Sequence, residues 1–295
     1  MVRLLALVMC LMTGAAATAQ TLPDWFSSSG RLVLGYSDRV AGADAFLVGD
    51  ATLRFAPVAL AQFGAELGFY GRADALDTPH ETYGALTWDF GQHRLAVGVP
   101  RPAYDGFAVS ALEYSFPSLG IDRTAATRSA ATNGAMFLGW LPYGASLTGQ
   151  TEGFHYAVSV HDASNVGMTV ASVGASRNIG DWQVSGAVEV SWGTSTEVSG
   201  KLQVQGQIGM VTGGLGYYSP GAVGGSDMVE AFARVRPIDR MMISAVVQVS
   251  TDGAADPTAG IAARYGFNES GAVSVGVASD AGSDAVFNAI LDWKF

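Results

Sequence analysis

Four histidines, His80, His93, His155 and His161, are the only side chains of this 295-residue chain whose unperturbed chemistry suits proton transfer near neutral pH. A hydrolase would need one of them beside a nucleophile and an orienting partner within hydrogen-bond reach. His155 and His161 share the parity of one extended segment and stand about 20 Å apart on it, too far to share a metal. No zinc-ligand spacing, phosphate-binding glycine loop or nucleophile elbow is present. The single cysteine, Cys10, is preceded by Met9 rather than a small residue, which argues against a lipid-modified cysteine. Catalytic residues, a resident metal and a cofactor are therefore not expected, and neither is an enzyme.

The remaining chemistry is that of fixed charge. Charged residues make up only 14% of the chain, and Lys201 and Lys294 are its only lysines. Within this scarcity the stretch Pro100 to Asn133 stands out, with Asp105, Glu113 and Asp122 beside Arg101, Arg123 and Arg128. Overall the chain carries a formal charge of −10, which repels phosphate backbones and excludes nucleic acid as a partner.

What could position such charges follows from the rest of the sequence. Arg3, the apolar run Leu4 to Met12 and the small residues up to Ala19 read as a signal peptide, residues 1–19, cut before Gln20. Residues 20–295 then form one domain. Its mean hydropathy of +0.25 is high for a soluble protein of this size, yet no stretch is long and apolar enough to span a membrane as a helix. A large soluble β-sandwich and a membrane barrel both fit that combination.

Alternation favours the barrel. In Trp182 to Trp192 the residues Trp182, Val184, Gly186, Val188, Val190 and Trp192 share one face, and Gln183, Ser185, Ala187, Glu189 and Ser191 the other. The two tryptophans would lie about 33 Å apart along the strand and about 25 Å apart once it tilts, the height of an outer-membrane apolar band with aromatic rims. Phe154 to His161 alternates in the same way, and Gln203, Gln205 and Gln207 suggest a wet interior.

Counting such segments gives an all-β, transmembrane antiparallel β-barrel of 16 strands, starting near Arg31, Asp50, Gln62, Thr82, His93, Gly134, Gly153, Val166, Asp181, Ser199, Gly213, Asp227, Met241, Pro257, Gly271 and Asp284. In this register Arg31, Arg54, Arg72 and Arg94 point inward, with Arg72 at the outer end of its strand and the others nearer the periplasmic end. Gly91-Gln92, Arg177 to Gly180, Val211-Thr212 and Asn268 to Ser270 fall on the side of the short periplasmic turns. The outer connections collect Asp38, Asp44, Asp74, Asp77, Glu81, Asp162, Glu197, Asp252, Asp256, Asp280 and Asp284 against Arg39. These acids would be solvated, or would hold divalent cations that bridge to lipopolysaccharide phosphates. The rim favours cations, while the inward arginines oppose that preference.

Pro100 to Asn133 becomes the third outer connection, far beyond the roughly 12 to 15 residues at which structureless loops become uncommon and usually functional. Two stretches now carry a resemblance. LTWDFGQHRLAVGVPRPAYD, Leu86 to Asp105, runs strand, tight turn and strand into that loop, and AGIAARYGFNESGAVSVGVASDAGSDAVFNAILDWKF, Ala259 to Phe295, supplies three last strands ending in phenylalanine. The chain resembles Gram-negative general diffusion porins, particularly the alphaproteobacterial, Rhodobacter-like branch.

The resemblance implies a third loop folded into the pore, a homotrimer, and a water-filled channel in the outer membrane for passive diffusion of ions and small hydrophilic solutes. Asp105, Glu113 and Asp122 would be the acidic loop side of the constriction, and Arg31, Arg54, Arg72 and Arg94 its basic wall. Trp293 and Phe295 in the closing strand resemble the signal read by the barrel-assembly machinery. Where enterobacterial constriction loops carry Pro-Glu-Phe-Gly-Gly, this chain has Ala-Leu-Glu-Tyr-Ser-Phe-Pro at Ala111 to Pro117. The alternatives are a closed structural or adhesive barrel and, more remotely, a barrel hydrolase acting through His155 or His161.

Overall fold

In a computed structural model the chain closes into a barrel of sixteen antiparallel strands, each paired with its neighbours in sequence, the first pairing with the last. The structure describes residues 23–38, 45–57, 60, 62–74, 77–117, 127–221, 224–253, 256–279 and 285–295. Residues 1–19, expected to be a signal peptide, and Arg39, Asp44, Asp122, Arg123, Asp280 and Asp284 lie outside them.

The strands are β1 (Phe26–Ser37), β2 (Ala45–Phe55), β3 (Phe63–Ala73), β4 (His80–Phe90), β5 (His93–Val99), β6 (Tyr143–Thr151), β7 (Phe154–Ala163) and β8 (Met168–Ile179). There follow β9 (Trp182–Trp192), β10 (Thr196–Ile208), β11 (Val211–Ser219), β12 (Met228–Ile238), β13 (Met241–Ser250), β14 (Thr258–Gly266), β15 (Gly271–Ser279) and β16 (Val286–Lys294). Closure removes every sheet edge, so each strand's backbone groups find partners inside the wall, as a hydrocarbon surround demands.

The side-chain period does the rest. On β9, Trp182, Val188 and Trp192 are exposed on the outer surface, while Ser185, Ala187, Glu189 and Ser191 are buried inside. On β16, Phe287 and Leu291 face out, and Val286, Asn288, Ile290 and Asp292 face in. The apolar exceptions Val286 and Ile290 are therefore truly inward, and Ile290 packs against Val33 and Phe46 from β1 and β2. The chain terminus closes the barrel through paired hydrogen bonds, Gly30 N to Phe295 O at 2.9 Å and Phe295 N to Gly30 O at 3.2 Å.

Four expectations need correction. The first two strands begin earlier than Arg31 and Asp50, at Phe26 and Ala45. The turn expected at Val211-Thr212 lies one step before, because Val211 already pairs with Ile208. The sixth strand begins at Tyr143, not near Gly134, because Ala130–Leu138 is a helix capped by the Ser129 side chain, and Gly139 ends it in the left-handed conformation at φ 67°. The long connection accordingly runs from Pro100 to Pro142. Glu81, expected among solvated rim charges, is instead 2% exposed on the inner face of β4.

Candidate functional site

Where the long loop begins is set by a short strand. β5 stops at Val99, opposite Gly84 in the middle of β4, so the chain leaves the wall at mid-height. Gly98 makes the exit with φ 139°, where a Cβ would sit 2.5 Å from the Gly84 carbonyl oxygen. From there the loop turns inward and carries, among its described residues, a 3-10 turn (Ala103–Gly106) and two helices, α1 (Ala111–Ser115) and α2 (Ala130–Leu138).

Each helix is fastened to the wall by the same device. Ser110 caps α1, its Oγ accepting from Leu112 N, and donates its own proton to Glu230 on β12 at 2.5 Å while Ala111 N donates to the other Glu230 oxygen at 2.8 Å. Ser129 caps α2 and donates to Glu189 on β9 at 2.5 Å, and Ala130 N donates to the second Glu189 oxygen at 2.7 Å. Both carboxylates are buried, Glu230 fully, so each satisfies amides that a helix start leaves orphaned. A carboxylate there also meets the positive end of the short helix.

Between the helices the wall offers hydroxyls. Ser159, Ser172 and Ser185, inward on β7, β8 and β9, accept from the amides of Ala103, Tyr104 and Ala108 at 2.9, 3.2 and 2.9 Å. The last of these holds Ala108 at φ 45°, a left-handed conformation that costs an alanine about 1 kcal/mol. On β10, Lys201 donates to Thr127 O at 2.8 Å and Gln203 to Val109 O at 2.8 Å. The inward glutamine row is thus partly loop support rather than bare water lining.

Apolar sockets complete the attachment. Phe116 packs with Leu112 against Phe232, Val246, Ala262 and Ala278. Its ring occupies the place where a Cβ on Gly260 or Gly276 would stand, at 2.5 and 2.8 Å. Phe107 fills the equivalent place over Gly174, 2.1 Å from a built Cβ. Met136 of α2 meets Tyr70 and Tyr83 on β3 and β4.

The described part of the loop leaves a space against β1 and β2. A cavity of about 400 Å³ lies there, bounded by Arg31 and Asp50 on the wall and by Arg101, Glu113, Tyr114 and Arg128 on the loop. A second, of about 650 Å³, lies next to the periplasmic turn at Gly91-Gln92 and is lined by Arg54, Asp89, His93 and Arg94. Arg101 and Gly106 line both. Opposed charges across a wet, low-dielectric gap set up a transverse field that orders water and disfavours apolar solutes.

The expected constriction residues divide in an unexpected way. Asp105 is 4% exposed and serves the loop itself, accepting from Ser129 N at 2.7 Å and Thr132 Oγ1 at 2.5 Å. Glu113 pairs with Arg128, a loop neighbour, and not with a wall arginine. Burial works against the Arg128 charge, but Glu113, Tyr70, Asp105 and Tyr83 together outweigh it and hold the guanidinium above its ordinary pKa.

The four wall arginines occupy three different places. Arg31 reaches the gap and pairs with Asp292 at 3.0 Å. Arg54 and Arg94 share Glu66 at 2.9 and 3.9 Å near the periplasmic mouth, and Arg72 pairs with Asp74 at 2.8 Å at the outer end of β3. Across the gap the polarity is partly reversed: the loop supplies Arg101, whose Nη2 meets the wall carboxylate Asp50 at 2.6 Å. Inward parity identified the arginines but not their partners. The residues missed altogether, Glu189, Glu230 and the wall serines, carried one sequence signal, their inward parity, and the Ser-Ala starts at Ser110 and Ser129 carried another. Nothing in the sequence joins the two.

The histidines do not gather. His161 is buried with Nδ1 3.3 Å from Pro142 O, while His93 meets the Tyr156 hydroxyl at 2.7 Å. Among the described residues no group of three metal-ligating side chains is present.

No protein-family model and no curated protein matches the chain. Solved structures do. A double-alanine mutant of the Rhodopseudomonas blastica porin superposes with a TM-score of 0.70 at 18% identity, covering 92% of this chain and 100% of that one. A second mutant of the same porin, with two introduced tryptophans, gives 0.71 at 16% identity with the same coverage. A third structure, reported under the asymmetric conductivity of engineered proteins, gives 0.69 at 17%. The closed sixteen-strand barrel is the fold of these porins.

Proposed function

We propose that this chain, built on the porin fold, is a passive channel of the bacterial outer membrane for ions and small hydrophilic solutes, with Pro100 to Pro142 as its constriction. The observation that carries the proposal is the fastened loop, whose described residues leave a charged cavity between themselves and β1 and β2. Conductivity is also what one fold neighbour is described by. A closed structural barrel is less favoured because charged cavities lie on both the β1–β2 side of the loop and the Gly91-Gln92 side of the lumen, with Arg101 and Gly106 lining each. Within this reading Arg31, Asp50, Arg101, Glu113 and Arg128 set the field at the opening, and Asp105 positions the loop. Purified protein in planar bilayers is expected to give stepwise conductance, with larger steps when the loop is shortened. Well-folded protein without conductance would overturn the reading.

The finer features have their own measurements. Cleavage before Gln20 is checked by the mass of the mature protein from outer membranes, and a homotrimer by native mass spectrometry. Deleting Phe295, whose backbone closes β16 on β1, should lower assembled yield rather than unit conductance. Divalent cations bridging the acidic outer connections to lipopolysaccharide predict a lower melting temperature in chelator, and an unchanged one would count against them. Hydrolase activity through His155 or His161 finds no support, since His155 is exposed on β7 and His161 is buried beside the Pro142 carbonyl.

A further inference from the structure

Inward arginines are paired with carboxylates around most of the lumen: Arg54 and Arg94 with Glu66, Arg72 with Asp74, Arg101 with Asp50, Arg128 with Glu113. One arc of the wall departs from this. Arg31 on β1 and Arg264 on β14 converge on a single carboxylate, Asp292 on β16, with Arg31 Nε and Nη2 at 3.0 and 3.2 Å and Arg264 Nη2 at 3.1 Å. Asp292 is 3% exposed, so its oxygens are turned to these two partners and away from solution.

Arg234 on β12 shares the inward parity of Glu230 and Phe232, and among the described residues it has no hydrogen-bond or ion-pair partner. Its guanidinium is held by ring faces instead, 4.9 Å from the centroid of Phe232 and 5.6 Å from that of Tyr114. Arg31 lies 5.1 Å from the same Tyr114 ring, which is 51% exposed in the lumen. Arg31 and Arg234 thus share one tyrosine ring, and Arg264 joins Arg31 through Asp292. The other carboxylate close by, Glu230 on β12, is committed to Ser110 and Ala111.

Stacking on a ring uses the face of a guanidinium and leaves its edge of N–H donors for a ligand in the plane. A carboxylate or a phosphate fits that fork with parallel, charge-assisted hydrogen bonds. The acidic charge of the whole chain does not cancel this excess, because in salt solution fields between exposed charges fade over about 8–10 Å.

We propose that Arg234, Arg264 and Arg31 form an oxyanion-binding step beside Tyr114, which takes small solutes bearing a carboxylate or phosphate past the constriction. The proposal rests on the channel reading and names its solute class. The test is calorimetric titration of the full-length, detergent-solubilised protein at low ionic strength, with succinate in one arm, inorganic phosphate in another and glucose as the neutral control. Binding is expected with at least one oxyanion and not with glucose. R234Q should weaken it by about tenfold or more, the loss expected for a charge-assisted hydrogen bond, and R234K by less. R264Q, on another strand, should weaken it as well and serves as the measure if R234Q does not assemble. Which arm binds identifies the oxyanion. No binding in either arm, or binding unchanged in the variants, overturns the site. Titration needs no conduction, so protein that binds but does not conduct defeats only the channel reading, and protein that conducts but binds neither anion defeats only this one.

Discussion

The two halves of the lumen wall follow the same rule of alternation and yet are built from different residues. From β7 to β15 the inner face is small or hydroxylated where the loop lies on it: Ser159, Ser172, Gly174, Ser185, Gly260 and Gly276, with Glu189 and Glu230 as buried fasteners. From β16 round to β5 the inner face carries Asp292, Arg31, Asp50, Arg54, Glu66 and Arg94, paired in a partly open space. The difference teaches that inward polarity has two meanings in such a barrel. Under the loop it satisfies backbone groups in a dry contact, where an unmet donor costs about 1–3 kcal/mol. On the open side it faces water, where ion pairs contribute roughly 0–1 kcal/mol and act mainly on what passes.

The comparison can be broken most strongly at the sockets. Gly174→Leu together with Gly260→Leu puts side chains where Phe107 and Phe116 lie. Overpacking of this kind costs about 1–3 kcal/mol per site, and relief comes most simply by expelling the loop. Unit conductance should rise severalfold and become noisy while the strand spectrum stays intact. Unchanged steps would mean that the loop is not held by these sockets.

Next in size is the release of one fastener. Glu230→Ala leaves the Ser110 hydroxyl and the Ala111 amide without their acceptor, and Glu189→Ala does the same to Ser129 and Ala130. Each should lower the denaturation midpoint in detergent by the equivalent of about 1–3 kcal/mol and add flicker to single-channel traces. Equal traces from both variants and the parent protein would remove the fasteners from the account.

On the open wall the expected effect shifts from stability to selectivity. Asp292→Asn removes the carboxylate shared by Arg31 and Arg264. The reversal potential in a salt gradient should move toward anions with unit conductance little changed, and a shift toward cations would contradict the charge balance drawn here. Smallest of all, Arg54→Gln at the periplasmic mouth breaks a pair in which the arginine side chain is 49% exposed. Its effect on the denaturation midpoint should correspond to less than about 1 kcal/mol.

Alternation and the aromatic spacing made the barrel, its strand number and the faces of β7, β9 and β16 legible from sequence, because a period of two is local and every residue of a lipid-facing strand reports it. The outward row ending at Phe295 and the inward parity of Arg31, Arg54, Arg72 and Arg94 followed from the same rule. Partner choice did not follow. Asp105 and Glu113 resemble constriction acids by position, but whether they face the wall or the loop depends on how Ser129, Thr132 and Arg128 fold back on them, and that is a matter of long-range packing. The start of β6 was misplaced for a related reason: Gly134 to Leu138 is apolar enough for a strand but lies in a helix that Ser129 caps and fastens to Glu189 on β9. The sequence by itself therefore determined a closed barrel with one long inward-charged loop. Only the tertiary structure decided which wall that loop covers, and so which charges are buried struts and which are left to meet a solute.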